Sequence, residues 1–431
     1  MWSAGPGNGA EGPKNWRRRG KDREKTETPG KLSLTGGFNL AEGKGFEPLV
    51  RGYRTLVFKT SSLGRSDNLP CLVVFHRELA VPKHHVLPVP APGQEVPARI
   101  RESVMKAVYI SQPGGPEVLD VREVPSPVPG GGEVLIDVVA AGLNRADVQQ
   151  RRGFYPPPPG ASEVPGLEVS GRIAGFGPGV TKAFSLGDKV VALLSGGGYA
   201  QQVAVPAEQV LRLPDGVDLV TAAALPEVAA TVYSNLIMTA QLQPGETVLI
   251  HGATGGIGTM AIQLAKAYGA KVATTAGTDE KVGTAKAFLG ADIAINYAEE
   301  DFVESLKAQN GGKGADVILD VVGAKYLQQN VDALAEYGRL IIIGLQGGTK
   351  AEINLGQLVS KRAAVIGTAL RPRPVAEKGV IMSAVREVLW PMLADGRIKP
   401  LVAKSFPLDR VSEAHEYFDS GEHVGKVLLL L

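Results

Sequence analysis

ETVLIH at 246–251 runs without a break into GATGGIG at 252–258 and then into TMAIQLAKAY at 259–268. The first piece is an apolar run after the turn Pro244-Gly245 and reads as a strand. The last carries apolar residues at Ala261, Leu264, Ala265 and Tyr268, the stripe of an amphipathic helix. A glycine pattern alone says little. Between a strand and a helix it becomes the turn that lets a dinucleotide's pyrophosphate approach the backbone, where unpaired N–H groups and the helix dipole hold it.

Outward from this turn, the alternation of strand and helix continues. Residues 271–275 form a second strand and 278–289 a helix; 291–296, 317–321 and 339–344 are later strands with helical segments between them. That is the pattern of a doubly wound parallel sheet. Residues 276–278 (Ala-Gly-Thr), where the second strand ends, carry no carboxylate to take the ribose 2′-hydroxyl of NAD. Asp279 follows, but it is read as the opening residue of the next helix, where the dipole favours an acid whatever binds nearby. Lys281, with Thr278 and Tyr297 as hydroxyl donors, can reach a 2′-phosphate; a solvated helix surface is the other reading of Lys281, and spacing leaves both open.

The region before the turn is different. Short strands at 106–110, 133–140, 166–174, 187–194 and 199–205 are separated by Gly- and Pro-rich turns, the rhythm of a sandwich or small barrel. Residues 221–238 have helical spacing, with Pro226 near the start, where proline is tolerated. From spacing alone this is a connecting helix; a cleft-facing Thr231 is the alternative. Tyr155, beside four prolines, is either a hydroxyl donor to a developing oxyanion or an aromatic packed on a loop. His251 ends a strand under the glycine turn and is read as structural.

Composition narrows the function classes. A chain of 431 residues with 44% hydrophobic residues and a net charge of +2 gives no cause to expect nucleic acid as a partner. No apolar run approaches the roughly 18–20 residues of a membrane span. Cys71 is the single cysteine, so no internal disulfide and no cysteine-based zinc cluster is possible; a reducing, cytoplasmic setting is expected. Residues 1–104 stand apart. They open with a Gly-, Lys-, Arg- and Glu-rich stretch and include a Pro-rich piece at 86–97. They are expected to be a disordered or non-native extension, with the protein proper starting at Met105.

From Met105 onward the chain resembles the zinc-free quinone oxidoreductases of the medium-chain dehydrogenase/reductase superfamily, and among them the tumour-suppressor-induced NADPH quinone oxidoreductase type. The residues that carry the likeness are NRAD at 144–147, GFYPPPPGAS at 153–162, GLE at 166–168 and the turn ending at Gly258 with Gln263 after it. Gly277-Thr278 with Lys281, Asn296-Tyr297, Gly344-Leu345 and GKV at 425–427 complete it. Gly252 departs from the alanine common in relatives.

The resemblance implies a GroES-like β-rich catalytic domain over 105–225, completed by 370–431, and a Rossmann domain over 226–369 with NADPH between them. It implies that Asn144 and Tyr155 sit near the nicotinamide and Thr231 on the cleft wall. Gly255, Gly256, Ile257 and Gly258 would hold the pyrophosphate and Thr278, Lys281 and Tyr297 the 2′-phosphate, with Gly344 and Leu345 also at the cofactor. Zinc-dependent relatives carry cysteine and histidine where Asn144 and Leu167 stand, so no metal is expected. The expected activity is NADPH-dependent reduction of a small quinone, in a homodimer formed through an edge strand of the Rossmann sheet. Reduction of an enone or enoyl thioester is the alternative; its CoA phosphates would want a basic rim, for which Arg151, Arg152, Arg371 and Arg373 are candidates. A non-catalytic structural or RNA-binding protein that retains NADPH is the second.

Overall fold

A computed structural model describes residues 104–180 and 183–431, all within the compact unit Pro90–Leu431. The expectation for residues 1–104 lies, apart from Val104, outside the described residues.

The first region begins with the hairpin of β1 (Val104–Ile110) and β2 (Leu119–Pro125), and continues with β3 (Glu133–Gly142) and α1 (Arg145–Arg151). It then runs through β4 (Glu168–Phe176), β5 (Lys189–Leu193), β6 (Gln202–Pro206) and β7 (Val210–Arg212). Neither β2 nor α1 was expected from periodicity. The signal for α1 lies in Asn144-x-x-Asp147, because the Asp147 carboxylate accepts the Asn144 N–H at 2.8 Å, half of a capping box.

Residues 221–238 do not form one helix. A 3-10 turn at Thr221–Ala224 precedes α2 (Pro226–Val232), and Tyr233–Thr239 is π-helical. Pro226 has no N–H to continue an earlier turn, so the helix starts there. At the other end Asn235 Nδ2 and the Ser234 hydroxyl both donate to the Thr231 carbonyl, at 2.8 and 3.2 Å, and compete for it with the regular ladder.

The second region reads β8 (Thr247–His251), α3 (Gly256–Ala267), β9 (Lys271–Ala276), α4 (Asp279–Ala287), β10 (Ile293–Asn296), α5 (Phe302–Gln309) and β11 (Ala315–Asp320). It ends with α6 (Leu327–Ala333), β12 (Leu334–Ile342), α7 (Leu355–Lys361) and β13 (Ala364–Gly367). The six strands are all parallel in the order β10-β9-β8-β11-β12-β13. This is the doubly wound dinucleotide-binding order, with its switch point between β8 and β11, directly beyond which a ligand crevice opens. Every residue of β8 is buried, as a central parallel strand covered on both faces requires. β12 starts earlier than periodicity suggests, because its first half includes the exposed Tyr337 at positive φ.

The chain then returns through α8 (Val375–Ala394), β14 (Val402–Pro407), α9 (Val411–Ser420) and β15 (Lys426–Leu430). β15 pairs antiparallel with β3, giving a seven-stranded sheet ordered β14-β15-β3-β4-β5-β7, with β6 also on β3. The last strand of the chain is thereby brought beside Gly142, two residues from Asn144.

Candidate active site

The glycine turn lies where β8 passes into α3. No side chain caps α3, whose N-cap is Gly255, so its first N–H groups are left for an anion. A methyl at 258 would overlap the carbonyl oxygens of Gly252 and Ala253, so only glycine closes this turn. Around Gly255, by contrast, there is open space for a phosphate's approach. The turn therefore fits a dinucleotide pyrophosphate.

At the far end of β9, Thr278 caps α4, accepting the Lys281 N–H at 3.3 Å, and the Tyr297 hydroxyl lies against Gly277. Asp279 opens α4, and its carboxylate accepts from Asn296 Nδ2 at 2.9 Å, so it is engaged within the protein. The Lys281 ammonium donates to the Gly421 carbonyl at 2.5 Å. Thr278, Lys281 and Tyr297 are thus gathered at one rim, with the 421–423 turn beside them. Gly344 and Leu345 follow β12; Gly344 packs against Val321 and the Leu345 side chain against Gly323, just past the end of β11.

Across from the turn lies a buried polar cluster that sequence reading assigned only in part. Lys426 is 4% exposed, and its ammonium donates to the Leu143 carbonyl and to Asn144 Oδ1, each at 2.6 Å, while pairing with Glu168 at 2.6 Å. Asn144 Nδ2 donates to Glu168 at 3.0 Å and to the Gly142 carbonyl at 3.2 Å. The second Glu168 oxygen accepts the Glu227 N–H at 2.8 Å, and the Thr231 hydroxyl donates to the Glu227 carboxylate at 3.0 Å. Burial, and then the charge of Glu168, push the Glu227 carboxyl up from 4.5 to about 7. The Lys426 stem also joins the cluster to the turn, since its Cδ lies 2.6 Å from where a side-chain carbon at Gly256 would be. Asn144, Thr231 and Gly256 are therefore connected through Lys426, Glu168 and Glu227.

Tyr155 stands on the other side, half-buried, with the Arg371 guanidinium 5.3 Å from its ring centroid. Its hydroxyl makes no hydrogen bond among the described residues, and burial raises that group above the ordinary phenol value. Arg151, proposed for a phosphate rim, is instead fully buried and pairs with Asp419 at 2.6 Å. His251 is also buried, bonded to Thr275 at 3.0 Å and Asn330 at 2.7 Å; burial lowers it to about 4, the state of a packed neutral ring.

Glu168 and Lys426 belonged to motifs already noted, yet nothing local joins positions 282 residues apart, as Asn144 and Lys426 are. Glu227 follows the helix-starting Pro226, and its environment was invisible in the sequence. Among the described residues no group of three or more His, Cys, Asp or Glu could hold a metal ion, and no helix is long and apolar enough to cross a membrane.

The family model described as alcohol dehydrogenase GroES-like domain matches residues 130–215, and that described as zinc-binding dehydrogenase matches residues 256–383. Human quinone oxidoreductase is 34% identical over 338 residues, covering 77% of this chain and 99% of that protein. Among solved structures, mycobacterial Rv1454c complexed with NADPH is 31% identical with a TM-score of 0.68, over 76% of this chain and 100% of that one. CurK enoyl reductase is 28% identical with a TM-score of 0.67, over 76% and 99%. With this strand order, this glycine turn and these relatives, the chain belongs to the quinone oxidoreductase family of the medium-chain dehydrogenase/reductase superfamily, whose members are NAD(P)-dependent oxidoreductases.

Proposed function

We propose that this oxidoreductase reduces quinones with NADPH, by hydride transfer and without a metal. The observation that carries this reading is the Lys426 ammonium, locked between Asn144 and Glu168 and packed on the glycine turn. An ammonium in that place engages the same oxygen lone pairs a cation would need, so the site has a fixed positive charge of its own. Although one matching family model is named for zinc, the resemblance places Asn144 and Leu167 where zinc-dependent relatives carry cysteine and histidine.

The bound nicotinamide supplies a hydride, and a quinone is electrophilic enough to take it without Lewis-acid help. Asn144 and Tyr155 line the nicotinamide end of the cleft, where the free Tyr155 hydroxyl donates to the developing oxyanion. Glu227 holds a proton near neutral pH, one hydrogen bond from the Thr231 hydroxyl, and supplies the proton the reduced ring takes up. Gly255, Gly256, Ile257 and Gly258 hold the pyrophosphate, and Gly344 and Leu345 flank it. Thr278, Lys281 and Tyr297 read the 2′-phosphate; the engagement of Asp279 with Asn296 supports NADPH over NADH.

Residues 105–225 with 370–431 form the catalytic half and 226–369 the cofactor half. The enzyme works in the cytoplasm as a homodimer through β13, an edge strand that carries exposed Val365 and follows the exposed Leu355 and Val359 of α7.

The likeness to an enoyl reductase supports a second reading, reduction of an enone or enoyl thioester. The test is oxidation of NADPH and NADH with ortho- and para-quinones and with crotonyl-CoA, in buffer containing a chelator. Quinone-dependent consumption of NADPH is expected. Turnover with crotonyl-CoA alone would transfer the protein to the second reading, and tight NADPH binding with no turnover would point to a non-catalytic role.

A further inference from the structure

Two buried cations share Ser195, one of them against Tyr155, with no anion of their own. Arg371, in the loop after β13, donates through Nε to the Ser195 carbonyl at 2.8 Å, and through its terminal nitrogens to the Tyr155 carbonyl at 3.2 Å and Gln150 Oε1 at 2.8 Å. Lys378 donates to the Ser195 hydroxyl, which itself donates to the Arg371 carbonyl at 3.3 Å. Every one of these acceptors is neutral, and no ion pair within the described residues reaches either cation. The carboxylate whose charge acts on Arg371 is Asp147, and its oxygens already accept from Asn144, Gly166 and Tyr199.

This arrangement is costly in isolation. Arg371 and Lys378 are 5% and 3% exposed, so both have lost most of their water. Lys378 also sits in the first turn of α8, where the helix dipole disfavours a cation. Burial and the Arg371 charge lower its ammonium to about 8, which leaves it cationic at neutral pH. Hydrogens remain on both groups beyond those used, and two of the residues they touch, Tyr155 and Ser195, are half-buried. The partners of Arg371 belong to α1 and the loops of the first region, whereas the cofactor's phosphates are assigned to the Gly252–Gly258 turn and the Thr278–Lys281 rim.

We propose that Arg371 and Lys378 form an anion site that receives a carboxylate carried by the electron acceptor. The site thus selects, within the reductase reading it rests on, acceptors whose electrophilic ring or double bond bears a short acidic chain. The charge-assisted bonds would pin that chain beside Tyr155 and fix the ring's orientation.

The probe is a 1,4-naphthoquinone with a short carboxylate chain, set against its methyl ester. Calorimetric titration of both into the full-length protein saturated with NADP+ measures affinity whether or not either is turned over. The acid is expected to bind at least about tenfold more tightly than the ester. Lys378→Met should abolish that ratio and Lys378→Arg should retain it, with ester affinity reporting that each variant is folded. Equal affinities, or a preference for the acid that survives Lys378→Met, would overturn the proposal. Selective acid binding without NADPH oxidation by either compound would remove the quinone reading and leave the anion site standing.

Discussion

The two ends of the proposed cofactor cleft are built from opposite materials. At the end where the nicotinamide is proposed to sit, Asn144, Glu168, Lys426 and Glu227 are wired into one another and largely withdrawn from water. At the other end, Thr278, Lys281 and Tyr297 sit on a rim open to solvent on one side, with Tyr297 half exposed. A buried charge is costly unless it is partnered, and these charges partner one another, so the inner cluster is formed before any ligand arrives. A rim in water needs no such partners and can adjust to what binds. The inner end should therefore couple chemistry to stability, and the outer end should govern cofactor choice alone.

The largest effect is expected from Lys426→Met, which strands the Glu168 carboxylate in the interior. A loss of about 3–5 kcal/mol in unfolding free energy is expected, measured by urea denaturation. A variant as stable as the parent would break the contrast outright.

Next comes Glu227→Gln. In the folded parent the carboxyl is raised from 4.5 to about 7, so its favourable contribution is full below pH 4.5 and fades as pH rises through 7. The parent's stability should decline across that window more steeply than the variant's, in thermal melts taken from pH 4.5 to 8. With Glu227 as the proposed proton source, the parent's kcat/KM should fall above pH 7 and the variant's should show no such fall.

A smaller effect is expected at the rim. Lys281→Ala should raise KM for NADPH about three- to tenfold over its effect on NADH, the worth of a partly solvated charge-assisted contact. An equal rise for both would show that Lys281 serves only to tie α4 to the Gly421 carbonyl. Smallest of all is Asp279→Asn. It should cost no more than about 1 kcal/mol through the α4 dipole and leave the NADPH/NADH ratio of kcat/KM where it was. A swing in that ratio would make Asp279 a reader of the ribose after all.

Legibility in the sequence followed the range of each interaction. The strand, turn and helix at 246–268 were readable because apolar period and glycine report the local backbone, and Asp279 was rightly placed at the start of α4 for the same reason. The stretch 221–238 was misread as one helix, since its break at Pro226 and its π-helical end turn on bonds from Ser234 and Asn235 to the Thr231 carbonyl. Arg151 looked like surface charge or a phosphate rim, and only the packing of α9 revealed it as a buried partner of Asp419.

By itself, then, the sequence determined a doubly wound sheet with an anion-holding turn, a β-rich partner region and a chain without cysteine ligands after Met105, because these are written in residues adjacent along the chain. Only the tertiary structure decided that the final strand returns to β3, that Lys426 completes Asn144 and Glu168, that burial and Glu168 push the Glu227 carboxyl up to about 7, and that Arg371 and Lys378 share Ser195 without an acid between them. Those outcomes depend on desolvation and on partners far apart in the chain, Asn144 and Lys426 by 282 positions, and a side chain acquires such an environment only when the chain closes around it.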